Sequence, residues 1–340
     1  MQRRKFLKTL ALSLTLGSTM SLAKENSKQK GEKMPTKENP QIWYITGASG
    51  GLGFALATYL LQKGDKVAAT SRKLSNIQDK LGKENANFLP LELTFDSSNG
   101  GVSAKSAENL ERIYQKWGRL DNLVNNAGYG LLGFVEEVSE KQLREQFEVN
   151  VFAPYVLTQN ALKIMRPQVL KEGGEKQNIK ARIFNLSSIA GFRVSNVSTP
   201  YCMSKFALSA LSEGLMLDLE DFGIATINVM PAGFRTEFLG TSMNFGTTKI
   251  PDYEDKRKAF LEKTAAYSGK QAGNPKKFAE ILYKISRMKN PPFNLFMGDA
   301  AYESAKNKIA FVQEDIRQTQ AYAGKNADFE DAGGSVFDKR

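Results

Sequence analysis

A glycine-rich turn at residues 46–53 restricts the fold of this chain more than any other feature of its sequence. The turn reads Thr-Gly-Ala-Ser-Gly-Gly-Leu-Gly and lies between a short apolar run at 41–45 and an apolar helical pattern at 54–62. The first run predicts a buried strand, because it is short, apolar and bounded by a turn. A strand, a glycine turn and a helix in this order predict a phosphate-binding βαβ unit, since a helix N-terminus attracts negative charge.

Three glycines of the turn have separate expected functions. Gly47 permits the tight turn, Gly51 lets the backbone approach a pyrophosphate, and Gly53 lets the helix pack on the strand. We assign Ser49 and Leu52 to the same cofactor-binding turn. The segment therefore predicts a dinucleotide site.

Two other glycine motifs compete for this segment. The residues from Gly47 to Gly51 also match the Gly-x-Ser-x-Gly elbow of hydrolases, but that mechanism requires a histidine and the chain contains none. A Walker phosphate loop requires Gly-Lys-Ser/Thr, which is absent. The single cysteine, Cys202, excludes disulfides within the chain and, without histidine, argues against zinc sites and Cys-His catalysis. Proton transfer is therefore left to Tyr, Lys, Asp or Glu.

From Pro40 onward, apolar runs alternate with helical patterns. This alternation predicts parallel strands joined by crossover helices. We predict a single α/β domain over residues 40–325, a Rossmann-type doubly wound parallel sheet in three α/β/α layers. The strands after the first are expected at residues 66–70, 88–93, 120–124, 182–185, 224–230 and 291–298, with a lysine-rich loop at 169–181.

The end of the second predicted strand indicates which dinucleotide binds. A site for NAD places an acidic residue about 20 positions beyond the glycines, to hold the ribose hydroxyls. Here the sequence continues Ala-Thr-Ser-Arg-Lys, with Arg72 where a carboxylate would stand. Because an arginine binds a phosphate well, we predict that NADP(H) is preferred over NAD(H).

A tyrosine and a lysine four positions apart supply a candidate acid–base pair. Tyr201 and Lys205 share one face of a predicted helix, so the ammonium lies near the phenol. A nearby cation favours the phenolate, and we expect it to lower the Tyr201 pKa. Upstream, Asn126, Ala127 and Gly128 follow a buried strand, and small residues and amides suit a strand end against which a cofactor lies.

With its Thr-Gly-x-x-x-Gly-x-Gly, Asn-Asn-Ala-Gly and Tyr-x-x-x-Lys motifs in order, the chain resembles the short-chain dehydrogenases/reductases from about residue 41 to the low 300s. The resemblance implies that Tyr201 exchanges a proton with substrate and that Lys205 lowers its pKa and binds the nicotinamide ribose. It also implies that Ser188 polarises the substrate carbonyl, and that Asn150 kinks a helix and holds a water of the proton relay.

The same resemblance assigns further cofactor contacts. The loop carrying Pro231, Gly233 and Thr236 corresponds to the one that binds the nicotinamide carboxamide, with Ala232 in place of a more usual glycine. Glu92 replaces the aspartate that commonly reaches the adenine, and Leu93 follows it. The segments at 271–275 and 291–298 resemble the retinol- and steroid-dehydrogenase-like branch. The apolar and aromatic residues after the loop predict a surface that closes over a hydrophobic alcohol or ketone; the alternative is that they pack this lid on the domain.

The first 39 residues are predicted to lie outside the α/β domain. Arg3-Arg4 and the apolar run after them resemble a twin-arginine export signal over residues 1–23, followed by a flexible linker at 24–39. This predicts a periplasmic or exported protein; the alternative is a cytoplasmic protein that starts at Met34. The apolar run is too short for a stable membrane span. Residues 326–340 are expected to form a C-terminal tail.

These observations predict an NADP-dependent oxidoreductase that interconverts a carbonyl and an alcohol, with a hydrophobic small molecule as substrate. A non-catalytic NADP-binding or sensing protein on the same fold is the alternative. Of the net charge of +11, +6 lies in residues 1–40, and the remaining +5 forms no basic and aromatic stripe, so we expect no nucleic-acid partner. No metal site is expected, and a homo-oligomer is left open.

Overall fold

The computed structural model describes residues 39–95, 101–240, 242–324 and 327. The predicted export signal, nearly all of the linker and nearly all of the tail lie outside these residues. Among the residues described, no helix has both the length and the apolar character to cross a membrane, and no three Cys, Asp or Glu side chains cluster as metal ligands.

Strands and helices alternate along the described chain, as the apolar pattern predicts. The strands are β1 (Ile42–Ile45), β2 (Lys66–Ser71), β3 (Phe88–Glu92), β4 (Asn122–Asn125), β5 (Gly130–Leu132), β6 (Ala181–Leu186), β7 (Ile224–Pro231), β8 (Met243–Phe245) and β9 (Asn294–Met297). The helices are α1 (Gly51–Gln62), α2 (Leu74–Leu81), α3 (Gly101–Trp117), α4 (Glu140–Phe147), α5 (Ala153–Lys171), α6 (Thr199–Leu219), α7 (Glu254–Tyr267), α8 (Pro275–Ile285) and α9 (Asp299–Ala323).

Seven strands form one parallel sheet in the order β3-β2-β1-β4-β6-β7-β9. The strand order reverses between β1 and β4, and ligands of doubly wound sheets bind beside such a reversal, at the carboxyl ends of the strands. The predicted fold class is confirmed. A separate two-stranded parallel ladder joins β5 to β8.

Alternate residues of the strands build two apolar cores, one on each face of the sheet. On β1, Trp43 and Ile45 join the core that includes α1 and α8, while Ile42 and Tyr44 join the core that includes α3 and α5. Helices on both faces are the expected cover for a parallel sheet. The result is the predicted three-layer arrangement.

One predicted boundary is wrong. The lysine-rich loop was expected to begin at Val169, but α5 continues to Lys171. Val169 is fully buried in the core formed with α3. Because Val169 packs into this core, the helix continues into the segment in which lysine and glutamate become frequent.

Candidate active site

A cleft of about 1310 Å³ opens at the carboxyl ends of the central strands. It is lined by residues from turns that are distant in sequence, after β1, β2, β4, β6 and β7. The predicted site residues that line it are Gly47, Ser49, Gly51, Leu52, Arg72, Leu93, Asn126, Ala127, Gly128, Ser188, Tyr201, Lys205, Pro231, Gly233 and Thr236. Gly53, Glu92 and Asn150 do not line it.

The glycine turn is packed against the end of β4. Gly47 has a φ of +66°, and a Cβ there would lie 2.9 Å from Ala127 Cα. A Cβ on Gly53 would lie 2.4 Å from Asn126 Nδ2, which itself donates to the carbonyls of Thr46 (2.7 Å) and Gly47 (3.0 Å). The absence of a side chain at Gly53 therefore allows Asn126 to pack closely against it, and the hydrogen bonds of Asn126 maintain the conformation of the turn.

Tyr201 and Ser188 meet at the wall of the cleft. The Ser188 side chain lies within reach of the Tyr201 hydroxyl, and Ser188 Oγ accepts a hydrogen bond from the backbone N–H of Ala190 at 3.1 Å. The Tyr201 ring lies 5.7 Å, centroid to centroid, from Phe238. Two hydroxyls in contact beside an apolar ring form a site at which one carbonyl oxygen would receive two hydrogen bonds.

Lys205 lies beneath this pair and is almost completely buried. Its Nζ lies 5.8 Å from the centroid of the Tyr201 ring and donates to the carbonyl of Leu186 at 2.7 Å. Ser187 Oγ donates to the Lys205 carbonyl at 3.0 Å and pairs with Ser209 Oγ at 2.8 Å, which fastens α6 to the end of β6. The ammonium is thus held beside the phenol by the backbone of the neighbouring strand.

The expected lowering of the Tyr201 pKa is wrong for the protein described here. Burial of the phenol raises its pKa above the ordinary value, and the Ser188 hydrogen bond offsets only part of the rise. Burial also lowers the pKa of Lys205 to about 8. Removal from water is therefore the dominant effect on the pKa of each group, and Tyr201 remains a protonated phenol at neutral pH.

The lowered pKa of Lys205 predicts a pH-dependent stability. Between pH 8 and the ordinary value of 10.5, the unfolded chain keeps a proton that the folded protein has released, so the free energy of unfolding rises with pH. From pH 7 to 9.5, wild type should gain about 2 kcal/mol relative to Lys205→Met. Urea unfolding of both proteins across this range measures the difference. A constant difference would show that Lys205 titrates normally.

Asn150 lies behind the cleft, in a π-helical turn (Glu148–Phe152) that joins α4 to α5. Its Nδ2 donates to the carbonyl of Tyr129 and to Ser204 Oγ, both at 3.0 Å, and its Oδ1 accepts from the N–H of Tyr129 at 3.2 Å. A Cβ on Gly128 would lie 3.0 Å from Asn150 Oδ1 and 3.5 Å from Lys205 Nζ. Asn150 therefore positions the backbone of Gly128 and Tyr129 next to Lys205. The π-helical turn is the distortion that was expected in its helix.

Besides Arg72, the cleft is lined by a cation that the sequence analysis missed. This residue is Lys80 on α2, whose Nζ donates to the carbonyl of Ser49 in the glycine turn at 2.6 Å. Glu92 is exposed and outside the cleft, with its carbonyl accepting from Asn109 at 3.0 Å. Nothing in the sequence distinguishes Lys80 from other helix-surface lysines, since only the fold places α2 beside the glycine turn.

The apolar residues after β7 divide into two groups. Phe238, Leu239, Phe260 and Tyr267 line the cleft. In contrast, Tyr253 stacks on Phe134 with a centroid distance of 4.1 Å, and Met243 and Phe245 form β8. The first group is available to contact a ligand in the cleft. The second group packs against other parts of the protein.

The chain was compared with known proteins. A family model described as short chain dehydrogenase matches residues 41–244. The oxidoreductase BOA17 of Botryotinia fuckeliana is 34% identical over 268 residues, covering 78% of this chain and 91% of that protein. The NADPH-dependent 3-dehydrocapnine reductase of Ornithobacterium rhinotracheale is 31% identical over 218 residues, covering 62% and 71%.

A solved structure gives the same result for the fold. The structure of a short-chain dehydrogenase from Streptomyces avermitilis superposes with a TM-score of 0.72 at 26% identity, and the match covers 86% of this chain and all of that one. Together with the family match and the arrangement of the cleft, these similarities place the protein: it belongs to the short-chain dehydrogenases and is an NAD(P)-dependent oxidoreductase.

Proposed function

We propose that this protein is an NADPH-dependent carbonyl reductase in which Tyr201 is the acid that protonates the substrate oxygen. The observation that carries the proposal is the Tyr201 hydroxyl next to Ser188 at the cleft wall, with the buried Lys205 beside the tyrosine ring. A phenol that is protonated at neutral pH is in the state that the reducing direction requires, because in that direction it donates a proton.

The residues present fit a nicotinamide dinucleotide. The close approach of Gly53 to Asn126 shapes the turn whose helix N-terminus faces the cleft. Gly51 of the glycine turn lies next to Thr236 of the loop after β7. A Cβ added to Gly51 would lie 3.9 Å from Thr236 Cβ. Gly47, Ser49, Gly51 and Leu52 would hold the pyrophosphate, and Lys205 the nicotinamide ribose. The bound cofactor supplies the hydride.

The protein's own groups perform the remaining steps. Ser188 and Tyr201 donate hydrogen bonds to the carbonyl oxygen and orient the substrate. As negative charge develops on that oxygen, the Tyr201 proton moves to it, and protonated Lys205 stabilises the phenolate that remains. Asn150 positions the backbone of Tyr129 next to this group. The Phe238 ring packs 5.7 Å from the Tyr201 ring, centroid to centroid.

The preference for NADPH is proposed because positively charged side chains line the part of the cleft in which the adenosine would bind. Arg72 and Lys80 line this part, and the nearest predicted carboxylate, Glu92, does not. Among the residues described, Arg72 makes no ion pair or side-chain hydrogen bond. A relative of this chain is an NADPH-dependent reductase. A free guanidinium next to a second cation favours a phosphate on the adenosine ribose over two hydroxyls.

Arg72→Asp should shift cofactor preference from NADPH towards NADH. Loss of charge-assisted hydrogen bonds to the phosphate is expected to weaken NADPH binding about 10- to 100-fold, and the new carboxylate gives ribose hydroxyls an acceptor. The measurement is the ratio of kcat/KM with NADPH to kcat/KM with NADH. Lys73→Asp is the matched control, because Lys73 is adjacent and exposed but lies outside the cleft. Equal ratios in the two variants would contradict the proposal.

The substrate is proposed to be a hydrophobic ketone or aldehyde, because Phe238, Leu239, Phe260 and Tyr267 line the cleft that contains Ser188 and Tyr201. Oxidation of NADPH in the presence of a panel of aliphatic, aromatic and polycyclic ketones tests this, with mass-spectrometric identification of the alcohol. Turnover restricted to small hydrophilic carbonyl compounds would contradict the substrate class. The absence of turnover with every member of the panel, despite tight NADPH binding, would favour the non-catalytic alternative.

A further inference from the structure

Gln271 carries an amide group that has no partner within the described part of the protein. The residue is 2% exposed and lines the cleft, and neither its Nε2 nor its Oε1 has a hydrogen bond. Buried side-chain amides are almost always paired, because an unpaired one has lost its hydrogen bonds to water without replacement. An amide held in this state beside a cleft points to a ligand.

The backbone around Gln271 is tightly fixed to the loop that follows β7. The N–H of Gly273 donates to the Gly233 carbonyl at 3.0 Å, and the N–H of Arg235 donates to the Gly273 carbonyl at 2.9 Å. The Arg235 guanidinium donates to the Gln271 carbonyl through Nε (3.3 Å) and Nη2 (3.2 Å). These bonds hold the main chain of Gln271 while its side chain remains unpaired.

The position of this loop identifies the part of the ligand that Gln271 would meet. At Thr236 the loop faces the glycine turn across the cleft, and two residues later Phe238 packs against Tyr201. A dinucleotide whose pyrophosphate lies at the turn and whose reactive ring lies beside Tyr201 therefore places its nicotinamide half along this loop. Gln271 lies against the same loop, since its carbonyl accepts from Arg235 and the N–H of nearby Gly273 donates to Gly233.

We propose that the side chain of Gln271 binds the carboxamide of the nicotinamide ring. Nε2 donates to the carboxamide oxygen and Oε1 accepts from the carboxamide N–H, so both unpaired atoms are satisfied by one group. Other ligand groups match less well: a phosphate or a substrate carbonyl only accepts, which leaves Oε1 unpaired. A carboxamide fixed in this way also fixes which face of the ring is turned towards Tyr201.

This inference rests on the NAD(P) dependence of the family and needs neither the NADP preference nor the identity of the substrate. The test measures the binding of NADP and of its 3-acetylpyridine analogue, in which a methyl group replaces the carboxamide NH₂, to wild type and to Gln271→Met. Methionine keeps the length of the side chain and removes both polar atoms. Isothermal titration gives both dissociation constants without turnover.

Wild type should bind NADP about 10-fold more tightly than the analogue, since one buried hydrogen bond is lost. Gln271→Met should bind NADP about 10-fold more weakly than wild type does and should bind both ligands with equal affinity. Gln313→Met, on the exposed side of α9, is the control and should keep the wild-type ratio. Without ligand, Gln271→Met should melt at or above the wild-type temperature, because methionine removes an unpaired buried amide.

A wild-type ratio of affinities in Gln271→Met would overturn the proposal. So would unchanged cofactor binding with a raised KM for substrate, which would assign the amide to substrate. A marked fall in the melting temperature of the ligand-free variant would also overturn it, because the amide would then have a partner in the protein without cofactor. Repeating the titrations with NAD and its 3-acetylpyridine analogue separates a failure here from a failure of the proposed NADP preference.

Discussion

Replacing Tyr201 with Phe should lower kcat for carbonyl reduction by about 1,000-fold, the contribution expected of a positioned acid. The variant lacks the hydroxyl that Ser188 contacts but keeps the ring that packs 5.7 Å from Phe238. Because phenylalanine also removes a partly buried polar atom, the fold and the binding of cofactor should be retained. Steady-state turnover and titration of cofactor binding measure the two effects separately.

Tyr155→Phe is the matched control, since this tyrosine is 50% exposed on α5 and lies outside the cleft. Its turnover should equal that of wild type. Retained turnover in Tyr201→Phe, at equal substrate affinity, would remove Tyr201 from the mechanism. A loss of turnover together with loss of cofactor binding would assign it a structural function instead.

Gly53→Ala should destabilise the protein by about 2 kcal/mol and weaken cofactor binding at least about 10-fold. In most helix positions alanine is more favourable than glycine. Here the added Cβ would lie 2.4 Å from Asn126 Nδ2 and 2.9 Å from the Gly47 carbonyl. Asn126 would have to move and give up its bonds to Thr46 and Gly47, which hold the glycine turn. Chemical unfolding and isothermal titration measure the two losses.

Gly214→Ala supplies the comparison for that substitution. Gly214 is exposed on α6, and a Cβ there would meet no atom within 4 Å. We expect this variant to be as stable as wild type or more stable by up to about 1 kcal/mol, with unchanged cofactor binding. If the two alanine variants were equally stable and bound cofactor equally well, close packing at Gly53 would not be what maintains the turn.

The layered α/β fold was predictable because its signals are local. The alternation of apolar runs and helical patterns needs only neighbours in sequence, and it located the strands of the main sheet to within a few residues. Boundaries such as the end of α5 were harder to place. Val169 belongs to the helix because it is buried against a sheet made by residues elsewhere in the chain.

The candidate site was predictable where it depends on spacing. Tyr201 and Lys205 lie one helical turn apart, and the structure places them side by side, with Ser188 beside the tyrosine. The prediction that Glu92 contacts the cofactor has less support, because the residue lies at the end of β3 but outside the cleft. Lys80 was missed because its position depends on how α2 packs against the glycine turn.

By itself, the sequence determined the order of strand, glycine turn and helix, the parallel sheet, and the shared helical face of the tyrosine and lysine. Each of these follows from residues a few positions apart. Only the tertiary structure decided that burial raises the Tyr201 pKa, that it lowers the Lys205 pKa, and that the Gln271 amide has no partner in the described protein. Exposure to water and the supply of hydrogen-bond partners depend on segments that are far apart in the chain, so no local pattern encodes them.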